Sequence, residues 1–185
     1  MVYRFKIVSD EVNHFSREIE IDSDSTFLEL RNAILDSVGY PKDELDSFFL
    51  CDDNWEKREE VTLEDMGSAS DQDVWLMADT PLSELIEDEG QRLIFVFDYL
   101  TERCFFMELR KIIPGKTLKD PLCTRKEGNP PKREIDIEEF DAAVEKRISK
   151  EASKATEDFE EDMYGSESYN DDDLAGLSSY DDSYM

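Results

Sequence analysis

Histidine is almost missing from this chain of 185 residues: there is one, together with three cysteines, seven glycines and six prolines. A lone histidine, His14, excludes both a histidine metal cluster and a paired acid and base histidine, and beside Asn13 it reads as an exposed loop residue. Cys51, Cys104 and Cys123 are odd in number, and no two stand in a Cys-x-x-Cys spacing. They fit neither a disulfide framework nor a common zinc framework, and each sits in an apolar run, so they read as reduced, buried, inert thiols of a cytosolic protein. Glycine is too sparse for a phosphate-cradling loop, and no nucleophile elbow occurs. There is no apolar run of membrane-spanning length, and the opening MVYRFKIV alternates as a strand does, unlike a secretory leader. The expected location is the cytoplasm, with no membrane partner. Basic residues are scarce as well, 21 against 48 acidic, for a formal charge of −27. That excess argues against direct, sequence-independent binding to nucleic acid or to an anionic membrane.

What is present is a strongly patterned stretch from Arg17 to Tyr40. Ile19 and Ile21 alternate with Glu18, Glu20 and Asp22, the period of two that marks a half-buried strand. Thr26 stands three residues before Glu29, the spacing of a capping box. Phe27, Leu30, Ile34 and Val38 follow at helical spacing, with Leu28, Ala33 and Leu35 widening the stripe. Gly39 stops the helix and Pro41 forbids its return.

Around that unit, Tyr3, Phe5 and Ile7 predict a first strand that pairs with Arg17–Ile21 as a hairpin. Leu45–Cys51 reads as a strand against the helix, and 52–73 as a long excursion holding one brief strand near Val61. Val74–Met77 reads as a strand, and Thr80 as the cap of a short helix with Pro81 in its first position. Leu93–Phe97 and Cys104–Leu109 predict a central hairpin, and Leu118–Thr124 an edge strand that tolerates Pro121. The expected organisation is an α+β domain over 1–126, a linker over 127–135, a polar helix over 136–155 carrying Ile137, Phe140, Val144 and Ile148, and a disordered acidic tail over 156–185. Residues 151–185 alone hold 12 acids and one base.

Several of these stretches resemble the plasmid Ri ORF-3-like family of small bacterial proteins, which often carry names borrowed from transposon passengers. Arg17-Glu-Ile19-Glu-Ile21, leading into Thr26-Phe27 and Leu30 to Ile34, is similar to the family's Arg-Arg-Ile strand followed by Thr-Phe-x-x-Leu-His-x-x-Ile. Leu45-Asp-Ser-Phe48 is similar to its His-Leu-x-x-Phe, Phe95-Val-Phe97-Asp98 to its Tyr-x-Tyr-Asp, and Pro121, Cys123 and Pro130-Pro131 to its Pro-x-Cys and Pro-Pro segment. Arg31 and Glu44 stand where the family usually has histidines, and Tyr99-Leu-Thr-Glu-Arg103 replaces its Phe-Gly-Asp-x-Trp. A family site built on those groups would be missing here. The resemblance implies a mixed sheet packed on the first helix, somewhat like a β-grasp, and implies no activity.

Carboxylates are too abundant for any pair to be singled out as acid and base. Asp22-Ser-Asp24-Ser-Thr26 lacks the glycine and glutamate of a calcium loop, whereas Asp52-Asp-Asn54-Trp-Glu56 offers oxygens for a weak divalent site. No catalytic, metal or cofactor residue is nominated, and no cofactor is expected. Trp75 reads as core. Trp55, surrounded by charge, reads as a partner-contact residue. In the tail, Phe159, Met163, Tyr164, Tyr169, Leu174, Leu177, Tyr180 and Tyr184 recur among the acids at intervals of about three to five residues. A purely solvating tail needs no such side chains, so Phe159, Tyr164, Tyr169, Tyr180 and Tyr184 join Trp55 as candidate partner contacts. The leading expectation is a non-catalytic module that binds another protein through its sheet edge or its tail. The alternatives are an acidic mimic of nucleic acid that inhibits a DNA-binding protein, which needs carboxylates at phosphate-like spacing, and a carboxylate- and metal-dependent enzyme, which needs converging acids in a cleft.

Overall fold

Alternation sets the first pair of strands. β1 (Val2–Val8) and β2 (Ser16–Asp22) run antiparallel with Tyr3 opposite Ile21 and Phe5 opposite Ile19, so their apolar residues fall on one face. The computed structural model describes residues 1–67 and 74–135, and residues 138–139, 141–142, 144–146 and 148–149 of the stretch that follows. The chain divides into two units, Met1–Arg133 and Glu134–Met185.

Helix α1 (Phe27–Val38) begins as its sequence dictates. The Thr26 hydroxyl accepts from the Glu29 N–H at 3.3 Å, and the Thr26 N–H donates to the Glu29 carboxylate at 2.7 Å. Each bond satisfies a donor that the helix start would otherwise leave unpaired. Gly39 ends the helix at φ +72°, a left-handed conformation that costs a side chain with a Cβ about 1 kcal/mol or more. Between these ends Phe27, Leu30, Ile34, Leu35 and Val38 turn inward.

The remaining elements are β3 (Ser47–Cys51), β4 (Lys57–Thr62), β5 (Trp75–Leu76), α2 (Leu82–Leu85), β6 (Arg92–Asp98), β7 (Arg103–Ile113) and β8 (Leu122–Glu127). They complete one eight-stranded sheet in the order β5-β4-β3-β6-β7-β1-β2-β8. Only β4 and β5 pair in parallel, which makes the sheet mixed. Phe48, Leu93, Phe95, Phe97, Phe105, Met107 and Leu109 join the α1 stripe in one buried cluster. Its rings meet in tilted pairs: Phe27 of α1 against Phe48 at 5.5 Å, Phe48 against Phe95 at 4.8 Å, and Phe97 against Phe105 at 4.7 Å. The fold is the expected α+β arrangement of hairpin, amphipathic helix and further strands.

Local details depart from the sequence reading. Thr80 does not cap α2, because its hydroxyl donates to the Leu76 carbonyl at 2.7 Å; Pro81 takes the cap position without a side-chain bond. The edge strand starts after Pro121 and runs on to Glu127. Beyond it, the residues read as a linker lie on the fold as far as Arg133. Gly128 stands so close to the His14 carbonyl that a Cβ would meet its oxygen at 2.4 Å, and the buried Pro131 carbonyl accepts from the Tyr40 hydroxyl at 2.5 Å. Cys51 and Cys104 are half-buried, and Cys123 is exposed instead of buried. The described residues between 138 and 149 are helical, with Val144 and Ile148 exposed. Ile137, Phe140 and the whole of 156–185 lie outside the described residues, as do the tail contacts nominated from sequence.

Removing part of the stripe tests this packing: Ile34→Ala should cost about 3 kcal/mol in urea unfolding, because a fully buried side chain leaves a cavity. Asp36→Asn, which removes only an exposed pair with Lys42, should change stability by less than about 0.5 kcal/mol.

Candidate functional site

Three arginines are buried to within 5 % exposure or less, and the structure uses each in the same way. Arg17 leans over the Phe15 ring and donates to the carbonyls of Ser37, Ser16, Glu127 and Gly128. Arg31 grips Asp46 at 2.6 and 2.8 Å and donates to the carbonyls of Lys42 and Glu44. Arg103 takes Glu11 through two bonds, at 2.7 and 3.0 Å, and reaches the carbonyls of Lys132 and Arg133. A guanidinium carries five donors, so one side chain can both pair a carboxylate and satisfy a loop's carbonyls.

Two of these hubs stand where the polar signature of the resemblance converges. Positions 31 and 44, thirteen residues apart in sequence, touch through the Arg31-to-Glu44 bond. The Glu44 carboxylate pairs with Arg133, which also lies 3.8 Å from Asp98. Arg103 and Arg133 both place their guanidinium over Phe97. The result is a partly buried set of ion pairs. Burial pushes the Asp46 carboxyl upward, with Arg31 opposing, and burial pushes Tyr40 up to about 12, so its hydroxyl stays a donor to Pro131.

Other polar groups are similarly committed. Ser47, fully buried, shares its hydroxyl with Tyr99 and with the Glu60 carboxylate, and burial raises the Tyr99 phenol. A hydroxyl out of reach of solvent, beside a phenol that resists ionisation, is a poor nucleophile with a poor base. Asp52, the best of the sequence-nominated cation oxygens, accepts from Arg58 and from the N–H groups of Asn54 and Glu56. Those bonds close the turn into β4. Trp55 sits at φ +65°, half-buried, with its ring edge-on to Phe106 at 5.2 Å and Arg92 over its face. It covers the side of the sheet away from α1. Beside it a cavity of about 300 Å³ is lined by Cys51, Asp53, Asp88, Glu89 and Arg92, of which Glu89 already accepts from the Ile112 N–H and Arg92 donates to the Asp53 carbonyl. Among the described residues no three His, Cys, Asp or Glu side chains are placed to hold a metal, and no helix is long and apolar enough to cross a membrane.

The two edges of the sheet are unlike. β5 is two residues long, whereas β8 is a six-residue strand, exposed throughout, that among the described residues pairs with β2 alone. Charge is unlike there too: residues 116–127, the loop ahead of β8 and β8 itself, hold four basic and two acidic side chains, in a chain of net −27. Sequence reasoning missed this band because it averaged charge over the whole domain. Lys116 fixes the loop ahead of β8 by donating to Glu20 at 2.7 Å, while Arg4 holds the same carboxylate at 2.5 Å. Arg17 holds the end of β8 through the Glu127 carbonyl at 2.8 Å.

A single mixed sheet with one packed helix, closed by arginine hubs and open along one basic edge, defines the class of protein. The sequence profile of the plasmid pRiA4b ORF-3-like protein family matches residues 1–178, and the chain belongs to that family. No curated protein matches it. Among solved structures it is similar to a protein of unknown function, MM3350 from Methanosarcina mazei Go1, with 19 % identity, 68 % of each chain covered and a TM-score of 0.54. That likeness is one of fold.

Two measurements check the geometry. The hydrogen bonds from Lys116 and then Arg4 hold the Glu20 carboxyl below its ordinary value, so its contribution is complete above the unfolded value near about 4.3 and is lost as pH falls through the lower folded one. Urea stability of Glu20→Gln should therefore lose part of the acid dependence that the wild type shows below about pH 4. Under native conditions a maleimide should modify Cys123 first, since it is exposed, and Cys104 last, since burial pushes its thiol up to about 11.

Proposed function

We propose that this protein acts in the cytoplasm by binding another protein, without catalysis, and that β8 is the binding element. The observation that carries the reading is the edge itself: six exposed residues, paired on one side only among the described residues and held from behind by Arg17 and the Lys116–Glu20 pair. An unpaired strand edge is a row of backbone donors and acceptors ready for another chain, and native sheets usually stunt or cover theirs. The opposite edge, β5, is stunted.

The competing readings have less support. An enzyme built on carboxylates needs acids that converge unspent, but Asp46 and Asp52 are bonded within the fold. An acidic mimic of nucleic acid needs carboxylates along an outer face, and the exposed edge is basic instead.

The full-length chain immobilised in a native extract tests the reading. Capture of its partner should fall about tenfold for the double variant Arg125→Glu, Lys126→Glu and stay unchanged for Arg58→Glu on β4. Equal capture by all three proteins would remove β8 from the account.

A further inference from the structure

The exposed edge also specifies its occupant. Resting on the reading of β8 as a protein-binding edge, we infer that it takes an acidic, extended peptide as a ninth strand, with apolar residues against Leu122 and Cys123 and carboxylates against Arg125 and Lys126. The pairing register places side chains on both faces. Leu122 and Arg125 lie opposite Glu20 and Glu18, on the side away from α1, whereas Cys123 and Lys126 lie opposite Ile19 and Arg17, on the helix side. The strand therefore presents an apolar pair at its start and a basic pair near its end, one member of each pair on either face. Leu122 is 49 % exposed, which is apolar surface that the fold itself leaves uncovered.

Charge selects between occupants. Lys126 has no acidic partner on its own strand, and like charges set directly across a strand pair repel, so a guest carboxylate suits that position better than a second basic side chain. An acidic strand meets the opposite condition. Arg125 holds Glu127 at 2.5 Å and stands 4.0 Å from Glu18, an exposed guanidinium that an incoming carboxylate can join, and Lys126 has no acidic partner among the described residues. Lys119 and Asp120 are both exposed in the loop before β8, while Lys116 there is paired with Glu20. Guest backbone bonds supply the affinity in this mode of recognition, and the flanking side chains supply the choice of partner.

The test is fluorescence anisotropy of a dye-labelled ten-residue peptide that alternates valine with glutamate, added to the full-length protein. Binding should saturate, weaken about tenfold from low to high salt because exposed charges are screened, and weaken by a similar factor for Arg125→Glu, Lys126→Glu. The same peptide with alternate valine nitrogens methylated should not bind, because it cannot complete the ladder. A lysine-for-glutamate peptide should not bind either. Retained binding of the methylated peptide, or equal binding of the lysine peptide, would overturn the acidic-strand assignment. So would failure of the acidic peptide to bind while capture from the extract still depends on Arg125 and Lys126, a result that leaves the protein-binding reading standing. Capture that ignores those two residues would sink both.

Discussion

Buried guanidinium groups hydrogen-bonded to the carbonyls of irregular backbone are the interaction on which the rest of this structure depends. One main helix covers one face of an eight-stranded sheet, which leaves loops at both ends whose carbonyls would be buried without partners. Each unpaired carbonyl would cost about 1–3 kcal/mol. Arg17, Arg31 and Arg103 answer that cost at three places: the α1 end with the β8 end, the loop into β3, and the strap at 132–133. Removing Arg31 or Arg103 would strand a carboxylate and two carbonyls together, and removing Arg17 would strand four carbonyls, so the hubs are worth more than ion pairs alone.

Much of the frame was legible because it obeys short-range rules. The period of two in β1 and β2, the Thr26–Glu29 box and the stop at Gly39 each follow from residues within a few positions of one another. The parts that were not legible depend on contacts between distant residues. Nothing local marks Arg17 as buried; it is buried because Ser37 and Glu127, twenty and 110 positions away, bring their carbonyls to it. The strap at 128–133 reads as a linker from its glycine and prolines, yet Gly128 is there for contact with His14 and Pro131 for its bond to Tyr40. Trp55 looked exposed because its sequence neighbours are charged, but Phe106 lies beneath it.

The same distinction applies to the candidate site. Arg31 and Glu44 could be recognised as departures from the family's usual histidines, and their adjacency could not. Brought together by the fold, they form part of a partly buried ionic cluster that ties a helix, a loop and the strap. Its charges are spent on holding these pieces together, and the rim of the described domain is its more accessible surface. The basic band lies along that rim. Its charge opposes that of the chain as a whole, so the net field that repels polyanions at a distance differs in sign from the local field at the edge.

The inequality of the two sheet edges has a consequence for stoichiometry. A sheet that can grow at both ends behaves like a bifunctional monomer, and successive additions make a chain without limit. Here β5 offers two residues and β8 six. The molecule is monofunctional in that sense: one strand added at β8 uses the only long edge among the described residues, and growth from this side continues only as far as the guest's own outer edge permits.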